Sequence, residues 1–103
     1  MRGMNDMVRQ AQMMQKKMQK LQEEMEDKVV EASSGGGMVT VEATCSGVVK
    51  SVKIDPSVID PEDVDMLQDL VLAAVNEAVK KGKDFAESEM KGLTGGINIP
   101  GIF

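Results

Sequence analysis

Between Met4 and Met25 the chain sets apolar residues or Ala at alternating steps of three and four: Met4, Met7, Ala11, Met14, Met18, Leu21 and Met25. This is a heptad seam, with Met4, Ala11, Met18 and Met25 at its a positions and Met7, Met14 and Leu21 at its d positions. The residues between them are mostly Gln, Lys and Glu, which favour helix. The spacing therefore predicts one long helix over about residues 4–27. At about 1.5 Å per residue it would run roughly 30 Å or more, too long to be covered on all sides by so small a chain. Part of it must project or pair.

The charge order along this helix is unusual. Arg2, Arg9, Lys16, Lys17 and Lys20 come first, and Glu23, Glu24, Glu26 and Asp27 follow. Cations early and carboxylates late oppose the helix dipole at both ends, so helix electrostatics do not account for the arrangement. The chain as a whole carries a net charge of −5, which argues mildly against nucleic acid, but one end is locally basic.

Lys28 to Ser33 (KVVEAS) is β-prone, and Ser33 to Gly37 reads as a turn. Met38 to Cys45 then alternates, with Val39, Val41, Ala43 and Cys45 on one face and Thr40, Glu42 and Thr44 on the other. After the tight Ser46-Gly47 pair, Val48 to Ile54 alternates imperfectly, with Lys50 and Lys53 breaking a Val49, Val52, Ile54 set. This predicts an antiparallel three-stranded meander over about residues 28–55, with a bulge in its third strand.

Asp60-Pro61-Glu62-Asp63 reads as a helix start, with Asp60 as N-cap and Pro61 at the first helical position. Val64, Leu67, Leu70, Val71, Ala74, Val75, Ala78 and Val79 give that helix a wide apolar face suited to covering a sheet. Gly82 falls inside the pattern, and Phe85, Ala86 and Met90 are expected to continue it as a bent or separate helix to about residue 91. The tail, 92–103, is apolar but rich in Gly and Pro and needs a surface to rest on. The fold class is thus α+β, one domain over 1–103 in the order α-β-β-β-α.

Composition limits the chemistry. There is no His, which removes the usual general base near neutral pH, the common nucleophile pairings and the commonest zinc ligand. No catalytic residue, cofactor or metal is assigned, and the chain is not read as an enzyme. A single Cys, Cys45, cannot close an internal disulfide and reads as a buried small hydrophobe; no secretory signal or membrane-length apolar run is seen. A cytoplasmic protein with no membrane partner is expected. With 42% hydrophobic residues but only two aromatics, Phe85 and Phe103, the core is thin, and oligomerisation is the first expectation.

Gly35-Gly36-Gly37 lacks the Lys and the following helix of a phosphate-binding loop. The acidic group from Asp55 to Asp65 fits turns and a helix cap better than a cation loop. Thioethers at heptad positions are ordinary packing material, so Met7, Met14, Met18 and Leu21, with Val39 and Val41 of the sheet, are assigned to packing or a dimer interface. The helix cations read equally as a solvated face or as phosphate contacts. Asn76 could face solvent or be buried.

The whole chain resembles the YbaB/EbfC family of bacterial nucleoid-associated proteins. The resemblance is carried by MVRQAQMMQKKMQKLQEEM, the Gly-rich turn before MVTVEATCSG, VKSVKIDPSVI, MLQDLVLAAVNEAVKK and the ending MKGLTGGINIPGIF. It implies a tweezer-like homodimer whose first helices project as arms, sequence-tolerant binding of duplex DNA in the nucleoid, chromosome bridging or compaction with an influence on gene expression, and no catalysis. It places Arg9, Lys16, Lys17 and Lys20 on the DNA-binding arm; Arg2, from the same basic end, is added to the expected DNA contacts, and Lys80, Lys81 and Lys83 are expected to assist. Gly95, Gly96, Pro100 and Gly101 match the family's tail. Few exposed aromatics favour duplex over single strands. The alternative is a dimeric adaptor whose Met-rich helix and apolar tail engage another protein, replication or recombination factors being candidates.

Overall fold

The computed structural model describes residues 2–94, with the side chains of Arg2 and Thr94 excepted. The elements are α1 (Arg2–Asp27), β1 (Val29–Ser34), a one-turn 3-10 segment (Gly35–Gly37), β2 (Val39–Thr44), β3 (Val49–Ile54), a second such segment (Pro56–Val58) and α2 (Val64–Thr94). The expected α-β-β-β-α order is observed.

The three strands form an antiparallel sheet in the order β1-β2-β3, with β2 in the centre. The glycine run between β1 and β2 is a tight turn in which Gly35, Gly36 and Gly37 all have positive φ, a conformation a Cβ would strain. The bulge expected in the third strand is present. Glu42 pairs with Ser51 and Ala43 with Val49, so Lys50 is the extra residue.

α2 crosses one face of the sheet, chiefly over β1 and β2. The core is where it meets the central strand: Val39, Val41 and Ala43 of β2 and Ala74 and Ala78 of α2 are completely buried, flanked by Ala32, Ile54, Leu70, Val71 and Val75. Two alanines at a four-residue spacing let the helix axis sit close to β2. At the top of the helix Ser34 Oγ donates a 2.6 Å hydrogen bond to the Leu70 carbonyl, tying β1 to α2. Near the far end of β2, the Gly82 Cα lies so close to the strand that a Cβ there would fall 2.9 Å from the Thr44 carbonyl oxygen.

Three details differ from the sequence reading. α2 begins at Val64, not near 61, because Asp60 Oδ1 accepts from the Glu62 N–H and closes a turn, while Asp63 Oδ1 accepts from the Met66 N–H and caps the helix. The helix does not bend or divide at Gly82 but continues through Gly92 to Thr94; Gly82 is a site of close approach, not a break. The described helix thus runs past the expected end near residue 91, and Gly95, Gly96, Pro100 and Gly101 lie outside the described residues.

The molecule is elongated, 74 × 22 × 17 Å. The C-terminal half of α1 lies antiparallel to the C-terminal part of α2: Leu21 and Met25 share a recess with Ala86 and Met90, and Lys17 and Lys20 share another with Gly92 and Leu93. The two helices together build an arm beyond the sheet.

Candidate nucleic-acid interface

α1 is uneven along its length. Met14, Met18, Leu21 and Met25 are half-buried, whereas every residue from Gly3 to Met13 is exposed, with Met4 at 68% and Met7 at 71%. α2 thus occupies the lower half of the seam and leaves the upper half open. Val39 and Val41, grouped with these residues in the sequence reading, lie in the core beneath α2 and are packing residues.

The cations occupy the other side of α1. At about 100° per residue, Arg9, Lys16 and Lys20 fall within about 40° of one another and about 170° from the mean direction of the seam. Lys17 lies between the stripe and the seam, about 80° from Arg9. All four are exposed, and none has an ion-pair partner among the described residues, where the recorded salt bridge is Lys80 to Asp84 at 3.7 Å. From residue 7 to residue 22 the helix carries four cations and no carboxylate. Glu24 of α1 and Glu89 of α2 border Lys17 and Lys20 at the lower end of the stripe. Arg9 to Lys20 spans roughly 16 Å of helix axis. Such a row can meet a polyanionic backbone at several points, and contacts of that kind position a duplex without reading its sequence.

Of the cations on α2, Lys81 reaches back to the sheet, its Nζ donating to the Glu31 carbonyl at 2.9 Å, and Lys80 is engaged with Asp84. They are less free than the α1 row. Asn76 is exposed.

A second feature was not found in the sequence. Val49 and Val52 of β3 pair with the buried Ala43 and Val41, so they point to the helix-covered side of the sheet, yet they are 39% and 44% exposed because α2 stops short of β3. On the same layer α2 shows an open apolar recess lined by Leu67, Val71, Leu72 and Val75, with Leu72 60% exposed. Alternation in β3 signalled an inward face but not that α2 would leave it partly uncovered.

Cys45 is buried at the end of β2, where burial pushes its thiol above the ordinary range, with Lys28 acting in the opposite direction. Asp55 accepts hydrogen bonds from Ser57, which hold its carboxyl below the usual carboxylate range. Among the described residues no group of His, Cys, Asp or Glu is arranged to hold a metal ion, and no helix is long and apolar enough to cross a membrane.

Comparison with known proteins gives a consistent picture. The model of the YbaB/EbfC DNA-binding family matches residues 1–97. A nucleoid-associated protein of Alkaliphilus metalliredigens is 53% identical over 101 residues, covering 98% of this chain and 89% of the relative. One from Acetivibrio thermocellus is 52% identical over 102 residues, covering 98% and 90%. Among solved structures, an uncharacterized protein from Helicobacter pylori superimposes with a TM-score of 0.73 at 25% identity, covering 85% of this chain and 92% of the other.

Proposed function

Because the chain belongs to the YbaB/EbfC DNA-binding family, we propose that it is a nucleoid-associated protein that grips duplex DNA through the basic stripe of α1, without base-specific readout. The observation that carries this reading is the row Arg9, Lys16 and Lys20, exposed, set in a stretch (7–22) that contains no Asp or Glu, and turned away from the packed side of the helix. Lys17 extends the row, and Arg2 lies in phase with it in the sequence. The net charge of −5 is no obstacle, because no carboxylate falls between residues 7 and 22 and acidic side chains border the row only at its lower end. A protein-adaptor role is not favoured by relatives whose description is nucleoid association.

The reading includes a homodimer in a cytoplasmic nucleoid. The apolar strip left by α2 beside β3, together with the Leu67 to Val75 recess, supplies a face that a second copy would cover. Two arms, each with its own basic stripe, would then let one dimer bridge two duplex segments.

The test is fluorescence anisotropy of two unrelated labelled duplexes over a salt series. Both should bind similarly, with affinity falling steeply as salt rises. In Lys16→Glu/Lys17→Glu/Lys20→Glu, binding should be lost while oligomeric mass is unchanged. Lys→Gln at the same three positions should lower the slope of log affinity against log salt by about 0.9 for each phosphate contact removed. Unchanged binding by the Glu variant would move the interface off α1.

A further inference from the structure

We infer that Lys81 guards the outer edge of β1, holding that strand closed to pairing with a strand of a second copy of this chain. In the β1–β2 pair the Cys45 N–H donates to the Lys28 carbonyl, and the pairing then runs in unbroken register from Val29–Thr44 to Ser34–Val39. Bonding alternates along an antiparallel pair, so Val30, Ala32 and Ser34 turn their backbone groups to β2, while Val29, Glu31 and Ser33 turn theirs away. Among the described residues no strand lies on that side, because β1 ends the sheet. A row of outward donors and acceptors is a template for another strand.

The two ends of the sheet differ in how they resist such pairing. β3 carries the bulge at Lys50, which bends the strand and disturbs the spacing an added strand would need. β1 has no bulge, no Pro and no Lys between Val29 and Ser34, so its edge is regular along its whole length. Lys81 of α2 supplies the missing cation. Its Nζ donates to the Glu31 carbonyl at 2.9 Å, and Glu31 is the middle residue of the outward row. An incoming strand would have to displace the ammonium from that carbonyl and leave a strongly hydrated charge against the new ladder. α2 fixes the reach: one residue on, a Cβ at Gly82 would meet Val30 Cγ2 of β1 at 3.4 Å, and one turn on, Phe85 lies under the Lys28 ammonium at 5.4 Å. The inference rests neither on DNA binding nor on the strip beside β3.

The test reads the mass of the full chain without DNA by sedimentation equilibrium over a range of concentrations, with circular dichroism as the check of fold. Lys81→Ala should reach about twice the parent mass or more and keep rising with concentration, since each opened edge takes another copy. Lys81→Arg, which keeps a cationic donor, should hold the parent mass. So should Lys83→Ala, which removes the same charge from the same helix. Adding Ser33→Pro or Ser33→Lys to Lys81→Ala should return the mass to that of the parent, the first by removing an outward N–H and the second by setting a cation on the edge. Parent mass for Lys81→Ala at every concentration would overturn the inference. Equal growth in Lys83→Ala, or growth that neither change at Ser33 reverses, would do the same.

Discussion

Replacing Gly82 by Ala tests the contact on which the base of the arm is built. In an ordinary helix interior the change would stabilise by up to about 1 kcal/mol, because Ala restricts the unfolded chain and favours helix. Here the added Cβ would lie 2.9 Å from the Thr44 carbonyl oxygen, 3.1 Å from Cys45 Cα and 3.4 Å from Val30 Cγ2. The first two are backbone atoms at the end of the central strand, held by the Cys45 N–H to Lys28 carbonyl bond at 2.9 Å and the Thr44 N–H to Val48 carbonyl bond at 2.8 Å. They cannot turn aside as a side chain would. Overpacking of this kind costs about 1–3 kcal/mol, and with the helix-propensity gain of up to about 1 kcal/mol set against it the net effect should be a loss of up to about 2 kcal/mol. Gly92 lies in the same helix with nothing within 4 Å of a would-be Cβ, and Gly92→Ala should stabilise by a few tenths of a kcal/mol, the gain being reduced so near the helix end. Urea unfolding of both variants at one fixed protein concentration reads the difference, because association alters apparent stability. The midpoint should fall for Gly82→Ala and rise slightly for Gly92→Ala. A rise in both would refute the argument that the strand backbone sets the approach of α2.

Other consequences are open to measurement. Asp63→Ala should cost about 1 kcal/mol by removing the cap on the Met66 N–H, while Asp60→Ala should cost less, since Asp60 holds only the preceding turn; urea midpoints rank the two. Val52→Lys/Leu72→Lys should lower the mass seen by sedimentation without disturbing the helix signal, and an unchanged mass would move the dimer face elsewhere. The Cys45 thiol should react with a disulfide reagent at neutral pH more slowly than in the urea-unfolded chain by roughly tenfold or more, because burial both shields it and disfavours the thiolate. Equal rates would contradict its placement.

The sequence carried the element order because each element had its own periodicity: a heptad in α1, alternation in β2 and a broad apolar face in α2. Even a bulge in the third strand was visible as broken alternation, although the sequence did not choose between Lys50, where it falls, and Lys53. Where reading failed, the signals were locally degenerate. Asp60, Glu62 and Asp63 are all competent to start a helix, and the choice fell to which carboxylate had a free N–H three residues ahead. Gly82 has two meanings, helix breaker or contact point, and only the path of β2 distinguishes them. The basic stripe was legible as a region, and its position opposite the seam follows from helix geometry. Which part of the seam α2 would cover was not legible, because the a/d pattern is uniform from Met4 to Met25 and says nothing of where a second helix lies along it.

The unbroken course of α2 makes the arm a lever and not a tether. One 31-residue helix begins over the sheet and ends beside Lys17, so no loop separates core from arm. A rotation of about 5° where α2 rests on β2 would swing the tip of α1, roughly 39 Å from its base, by about 3 Å. Small repacking at Ala74, Ala78 and Gly82 therefore sets the stance of the arm, and the gap between two duplexes held by a pair of such arms would be gauged by the smallest side chains in the protein.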